Sequence, residues 1–246
     1  MFWILVILCV FTIGSCHWWA GLISNRPNSE QSRWASAGGG ASLAYVFVHL
    51  LPELASGGQT ISDALGMSNY IPSPTTESLL FLVALMGVVV PYSLNVISKQ
   101  DPATSGWTGT ARLATFALVQ YLYAYSLPSL LTTGISYGLL FTVAISAHVL
   151  LADRTMAQDH PRAFRRRFRW TGSAALAAGS MQAALLHPVS DLTLAVATAF
   201  VGGGMLMSVF REELPDANGS RLGWFSIGLL SMTTLLLFAT ARFGHV

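Results

Sequence analysis

Charge is what this chain has least of. Of its 246 residues only 10% are charged, against roughly 25% in an average soluble domain, while 53% are hydrophobic. A soluble fold of this size has no interior for that much apolar surface, whereas a chain whose outward faces meet lipid requires it. Cysteine is almost absent too. Cys9 and Cys16 both fall in the first apolar stretch and exclude a disulfide framework. Ile13-Gly-Ser-Cys16 has the shape of a bacterial lipoprotein cleavage site, but no Lys or Arg precedes it. The basic start of a signal peptide is missing, so these are expected to be small packing residues. No polar segment is long enough for a separate soluble domain, and residues 1–246 are expected to form one membrane domain.

What is there in abundance is apolar run. Uncharged stretches near the roughly 20 residues of a spanning helix cover Phe2–Ser24, Trp34–Pro52, Ser78–Ser98, Trp170–Ser190, Leu192–Phe210 and Leu222–Ala241. A longer one, Leu113–Ala152, breaks at Leu131-Thr-Thr-Gly-Ile135 and is expected to be two helices. The expected fold class is therefore an all-α integral membrane protein of eight transmembrane helices.

Positive charge is one-sided. Of 13 Lys and Arg, 12 fall in alternate loops: Arg26 and Arg33, Lys99 and Arg112, Arg154 to Arg169, and Arg211 and Arg221. Only Arg242 lies on the other side. The positive-inside rule places those loops in the cytoplasm and both termini outside, in a plasma (inner) membrane. Asp153–Arg169 is expected to be the main inner loop, and Glu53–Glu77 an irregular outer one. The run Arg162-Ala-Phe-Arg-Arg-Arg-Phe-Arg-Trp170 interleaves bases with aromatics. Beside a spanning helix it is expected to be a topology signal touching anionic lipid headgroups, not a nucleic-acid site.

Two segments resemble each other. Gly38-Gly-Gly-Ala-Ser-Leu-Ala-Tyr-Val-Phe-Val-His-Leu-Leu-Pro-Glu53 and Gly202-Gly-Gly-Met-Leu-Met-Ser-Val-Phe-Arg-Glu-Glu-Leu-Pro-Asp216 share a three-glycine run and a Val-Phe-x-(His or Glu)-x-Leu-Pro-acid ending. Charge placement runs the first outward and the second inward, which is the signature of an inverted-topology repeat, helices 1–3 against 6–8. Terminal Leu-Pro-acid and glycine runs also occur as ordinary membrane punctuation.

The first of these segments resembles helix 2 of the ZIP (Zrt/Irt-like) metal-ion transporters, with its Gly-Gly…His-Leu-Leu-Pro-Glu53 ending, and the second resembles that family's helix 7. The resemblance implies eight spans, outside termini, the same inverted repeat, and a transport site on helices 4 and 5 built from a His or Asn with a carboxylate one turn later. Such ligands suit borderline ions such as zinc, with iron(II) and manganese as further candidates. The chain departs from the family there. Helix 4 offers Gln120 and Ala124, or Tyr125-Ser-Leu-Pro-Ser129, with no carboxylate in either register. Helix 5 offers His148, with Ala152 where the acid belongs and Asp153 one residue late. The family's long, often His-rich loop before helix 4 is here the short Lys99–Arg112, without histidine.

The candidate metal-contacting residues are His148, His49, Glu53 and Asp153. His148 is an ionisable residue inside a span, hence a functional candidate by default, against the alternative of a neutral histidine bonded to a neighbouring helix. Asp153 is weighed as a ligand against an interface pair with Arg154. His49 and Glu53, at i and i+4, share a helix face near the outer end and offer either a cation uptake site or an end cap. Glu212 and Glu213 are expected to be a solvated cluster at the inner end, Gln120 and Gln182 buried amides, Met181, Met205 and Met207 packing residues, and His187-Pro188 a helix end.

The expectation is a divalent-cation transporter, not an enzyme, without a prosthetic group. Its partners would be the bilayer, anionic headgroups, the metal ion and a second copy of the chain. A membrane sensor or interaction partner on the same scaffold is the alternative. A hydrolase built from His49, Glu53, His148 and Asp153 is disfavoured, because the first two lie near one face of the membrane and the last two near the other.

Overall fold

The computed structural model describes all residues except 24–27, 57–72, 101–104, 187, 189, 214–220 and 244–246; the side chains of 28–32, 56, 73–77, 98–100, 105, 159, 212–213 and 242–243 lie outside the description as well. Eight long helices account for nearly all of it, and there is no strand among the described residues. They are α1 (Phe2–Ile23), α2 (Asn28–Tyr45, continuing through a π-turn at Val46–Leu50 to Leu51–Ser56), α3 (Ser73–Gln100) and α4 (Ser105–Thr133). Then follow α5 (Ile135–Asp159), α6 (Pro161–Ala163, a π-turn at Phe164–Phe168, then Arg169–Leu185), α7 (Asp191–Ser208 with a π-turn at Val209–Glu213) and α8 (Leu222–Phe243).

Six of the eight are long and apolar enough to cross a membrane: Phe2–Ile23, Arg33–Ala55, Ser78–Ile97, Ile135–Gln158, Asp191–Arg211 and Leu222–Ala241. Helices α4 and α6 fall below that mark, being rich in Ala, Gly, Ser and Tyr. Large apolar side chains such as Phe11, Leu85, Leu230 and Phe238 point outward, while His17, Gln120, His148 and Asp153 are buried. Apolar outside with polar inside is the pattern of a membrane-embedded chain.

The breaks follow local chemistry. Gly134 alone separates α4 from α5, within the expected Leu131–Ile135 interruption. Ser190 caps α7, its hydroxyl accepting from the Thr193 N–H, with Asp191 in the first turn. Two expectations fail at helix ends. Asp153–Arg169 is not a loop: α5 runs to Asp159, only His160 intervenes, and Pro161 opens α6. Pro is pre-organised for a first helical position, and Phe164 and Phe168, both buried, anchor the next turn to the core. Helix α2 likewise continues past Pro52 to Ser56.

That continuation needs the π-turn. Pro52 has no N–H to donate to Val48, and its ring would press on that carbonyl in an α-helix. Widening the turn, with the Leu51 N–H reaching back to Val46 O, removes the conflict. Helix α7 widens over Val209–Glu213, again beginning at the Val-Phe and ending just before a Leu-Pro.

Hydrophobic burial does not drive helices together in lipid, so close backbone packing must. Here it occurs at glycines on paired parallel helices. Added Cβ atoms on Gly40 and Gly228 would strike the backbone oxygens of Phe225 and Ala37, so α2 and α8 touch main chain to main chain. Gly203 and Gly87 do the same against Ala84 and Phe200, joining α7 to α3. Gly179 presses on Tyr121 O and joins α6 to α4, while α1 packs along α5. Contacts are densest within two groups of helices: α2, α3, α7 and α8 in one, α1, α4, α5 and α6 in the other.

Candidate functional site

Between the two groups lies a small, mostly apolar cavity of about 20 Å³ with a few polar groups in its wall, room for about one water molecule. Helix α2 lines it with Tyr45 and Glu53, α4 with Tyr123 and Ser126, α5 with Phe141, and α7 with Thr198. Beside it His49 Nε2 lies 3.4 Å from Glu53 Oε2. The His49 ring stacks on Tyr137 of α5, centroids 5.9 Å apart and planes 18° from parallel, and meets the tilted Tyr45 ring at 5.1 Å. His49 and Glu53 thus face the α5 side at the end of the bundle where α2 finishes, as their spacing predicts. The aromatic rings shield the histidine, and the glutamate reaches the cavity.

The second polar cluster lies toward the far end of α5. Asp153 is 1% exposed, and its Oδ2 accepts from Nδ1 of His17 on α1 at 2.5 Å. His148, one turn earlier on α5, is also buried, close enough to act electrostatically on Asp153, and meets the Tyr123 ring edge-on at 6.3 Å. Cys16 Sγ, also buried, donates to Thr12 O within α1 at 3.5 Å. Phe116 of α4 packs edge-on against the His17 ring at 5.8 Å. Gly172 of α6 leaves the imidazole its space, since a Cβ there would come within 2.6 Å of His17 Nε2. That Nε2 has no hydrogen-bond partner among the described residues.

A buried carboxylate is costly unless paired, and the pairing corrects one alternative weighed for Asp153. Its partner is His17 from another helix, not its chain neighbour Arg154. His17 itself is the residue that sequence reasoning passed over. It is the same kind of signal as His148, an ionisable side chain within an otherwise uncharged run, but it belongs to no motif or spacing pattern that singles it out.

The four candidates therefore occupy two places. From Tyr137, beside His49, to Asp153 is 16 residues of α5, or about 24 Å at a helical rise of about 1.5 Å per residue. Among the described residues no three His, Cys, Asp or Glu side chains converge into a set able to hold a metal. Gln120 is buried with its amide oxygen unsatisfied among the described residues, as a path-lining amide would be. Gln182 is exposed, correcting the expectation that it is buried. Met205 is core and Met181 outward-facing. His187 and the Glu212 and Glu213 side chains lie outside the described residues.

No family model matches the chain, and no curated protein matches it in sequence.

Proposed function

We propose that the chain is a ZIP-like transporter that moves a divalent metal cation, zinc foremost with iron(II) and manganese as alternatives, toward the cytoplasm by alternating access. The observation that carries this is the set of polar groups, Glu53 with Tyr45, Tyr123, Ser126 and Thr198, in the wall of a small cavity at the boundary between two helix groups. Alternating access needs a polar site at a boundary between bodies that can move past each other. A carboxylate and phenol and hydroxyl oxygens can replace part of a cation's water shell at such a boundary. His148, Asp153 and His17 extend the polar line toward the other end.

An inverted repeat over eight spans supports the same mechanism, and its footprint is a shared register. Gly40 and Gly203 each precede their helix's proline by twelve residues, and Ala37 and Phe200 by fifteen. The seams pair Gly40 with Phe225 and Gly228 with Ala37 on one side, Gly203 with Ala84 and Gly87 with Phe200 on the other. The relation α2–α8 to α7–α3 is the one that exchanging helices 1–3 with 6–8 requires. The buried faces agree: Cys9, Ile13, Cys16 and Ala20 of α1 are spaced as Gly172, Leu176, Gly179 and Ala183 of α6. The π-turns of α2 and α7 fall at the same register. With the arginine-rich end in the cytoplasm, the His49–Glu53 end opens outside in a plasma membrane, termini outside, and the chain pairs with a second copy as a homodimer.

The test is uptake into proteoliposomes with zinc, iron(II) and manganese offered separately. Native protein is expected to take up at least one ion. His148→Ala and Glu53→Gln should each reduce the rate by about tenfold or more, the scale of losing a ligand or its partner. Folded, inserted protein that carries none of the ions would refute transport. One specific observation favours the alternative, a non-transporting sensor or interaction partner on the same scaffold. Helix α4 has no carboxylate where the resemblance requires one, only Ala124 or Ser129.

A further inference from the structure

Six of the seven tryptophans gather at one end of the bundle. Trp18 and Trp19 close α1, and Trp34, Trp107, Trp170 and Trp224 lie in the opening turns of α2, α4, α6 and α8. Those helix ends are neighbours. Trp18 packs edge-on against Trp170 at 4.9 Å, Phe116 meets both His17 and Phe168, and the Arg221 N–H that precedes α8 donates to Ser36 Oγ of α2. All six indoles are exposed. Only Trp3 lies at the opposite end. Indole rings collect where a bilayer's hydrocarbon gives way to its headgroups, so the collar marks that level on this end of the molecule.

At the same level α6 presents arginine. Residues 160–170 contain five arginines and no acid. One of the five is already engaged: the Arg169 guanidinium lies 4.4 Å above the Trp18 ring and 5.8 Å from that of Trp170. The other four, Arg162, Arg165, Arg166 and Arg167, are exposed and form no ion pair among the described residues. The spacing of the two buried phenylalanines lets three consecutive ones face out. Four residues return the chain nearly full circle across the turn at Phe164–Phe168, so both phenylalanines point into the core and the three residues between them fan outward. Arg165 is further fixed by its Nε donating to Pro161 O at 3.3 Å, which leaves its terminal nitrogens free. A merely solvated charge run requires neither two buried phenylalanine anchors nor an indole collar at its own level.

We propose that Arg162, Arg165, Arg166 and Arg167 form a binding surface for anionic phospholipid headgroups, with the Trp18–Arg169–Trp170 stack as its floor at the edge of the hydrocarbon. Guanidinium forks bind phosphate oxygens in pairs, and the indoles cover the glycerol and upper chains. The partner is a lipid and not a free phosphate, because only a lipid uses the collar and the arginines together. The surface is independent of any transport activity.

The test is retention of lipid by protein extracted from vesicles of mixed anionic phosphatidylglycerol and zwitterionic phosphatidylcholine, read by mass spectrometry of the intact protein. Native protein should come out enriched in the anionic lipid. Each arginine changed to glutamine should lower that enrichment by about fivefold, and the quadruple Gln variant should show none. The quadruple Lys variant keeps the charge without the fork, and should fall between the two while confirming that the helix end folds. Soluble glycerophosphoglycerol should not displace the lipid, whereas displacement would mean that a phosphate group alone suffices and would overturn the role of the collar. Equal retention of both lipids by native protein, or unchanged enrichment in the Gln variant, would overturn the proposal. So would displacement of the lipid by a short RNA at matched phosphate concentration.

Discussion

A single hydrogen bond ties the C-terminal half of α5 to α1. His17 and Asp153 are both buried, so removing either leaves the other without its partner where water cannot compensate. His17→Leu and Asp153→Leu are each expected to cost about 3–5 kcal/mol, whereas the double variant should cost clearly less than their sum. Thermal unfolding of the four proteins in detergent, followed by loss of helix signal, measures the coupling. Additive losses would mean that the pair contributes nothing as a pair. The two members were unequally legible. An Asp at the end of an apolar run announces itself, but its partner lies 136 residues away along the chain. No local pattern selects His17 over Arg154; only the packing of α1 on α5 does. His49 and Glu53, at i and i+4, could be placed on one face from spacing alone, and their separation of 3.4 Å agrees.

At the scale of helices, glycine is the material of the seams. Gly40→Ala or Gly203→Ala puts a methyl into a neighbouring main chain, which must move as a whole. A cost of about 1–3 kcal/mol is expected, together with loosening of α8 from α2 or of α3 from α7. Gly106, Gly109 and Gly223 have nothing within 4 Å of an added Cβ. Alanine there should be neutral or stabilise by up to about 1 kcal/mol, since it is the better helix former. Urea unfolding of the two sets side by side distinguishes seam from surface, and equal effects in both would refute the seam. Helix positions were legible because charge is scarce and brackets each apolar run. Helix ends were less so. Pro52 and the arginines of 162–169 are conventional stop and loop signals, yet α2 widens to pass its proline and α6 begins at Pro161. A proline conflict can be relieved by a wider turn, and buried Phe164 and Phe168 outweigh the polarity between them. Neither resolution is visible without the neighbours.

For the whole molecule, the eight-span topology is tested at α4 and α6, the two helices below the apolar mark. Single cysteines at Gly106, Thr133, Arg166 and Leu186 probe both ends of both helices at exposed positions. Cys9 and Cys16 are buried and should stay silent. Labelling of sealed vesicles with an impermeant maleimide should reach Gly106→Cys and Arg166→Cys from one side, and Thr133→Cys and Leu186→Cys from the other. All four reacting from the same side would sink the eight-span architecture. Two less apolar helices are what a polar interior requires, since α4 supplies Gln120, Tyr123 and Ser126 and is wrapped by its neighbours.

The parallel pairing of helices also bears on how such a chain is made. Helix α2 finds its tightest partner in α8 and α3 in α7, whereas α1, α4, α5 and α6 pack among themselves, so one of the two groups waits for the last two helices. A ribosome delivering the chain from its beginning therefore releases α2 into lipid with its glycine face bare, and it stays bare until the last helix arrives. Assembly of that group is deferred to the end of synthesis. Over that interval the half-made protein depends on the insertion machinery and its chaperones, and a chain interrupted ahead of Leu222 presents quality control with an unmatched helix.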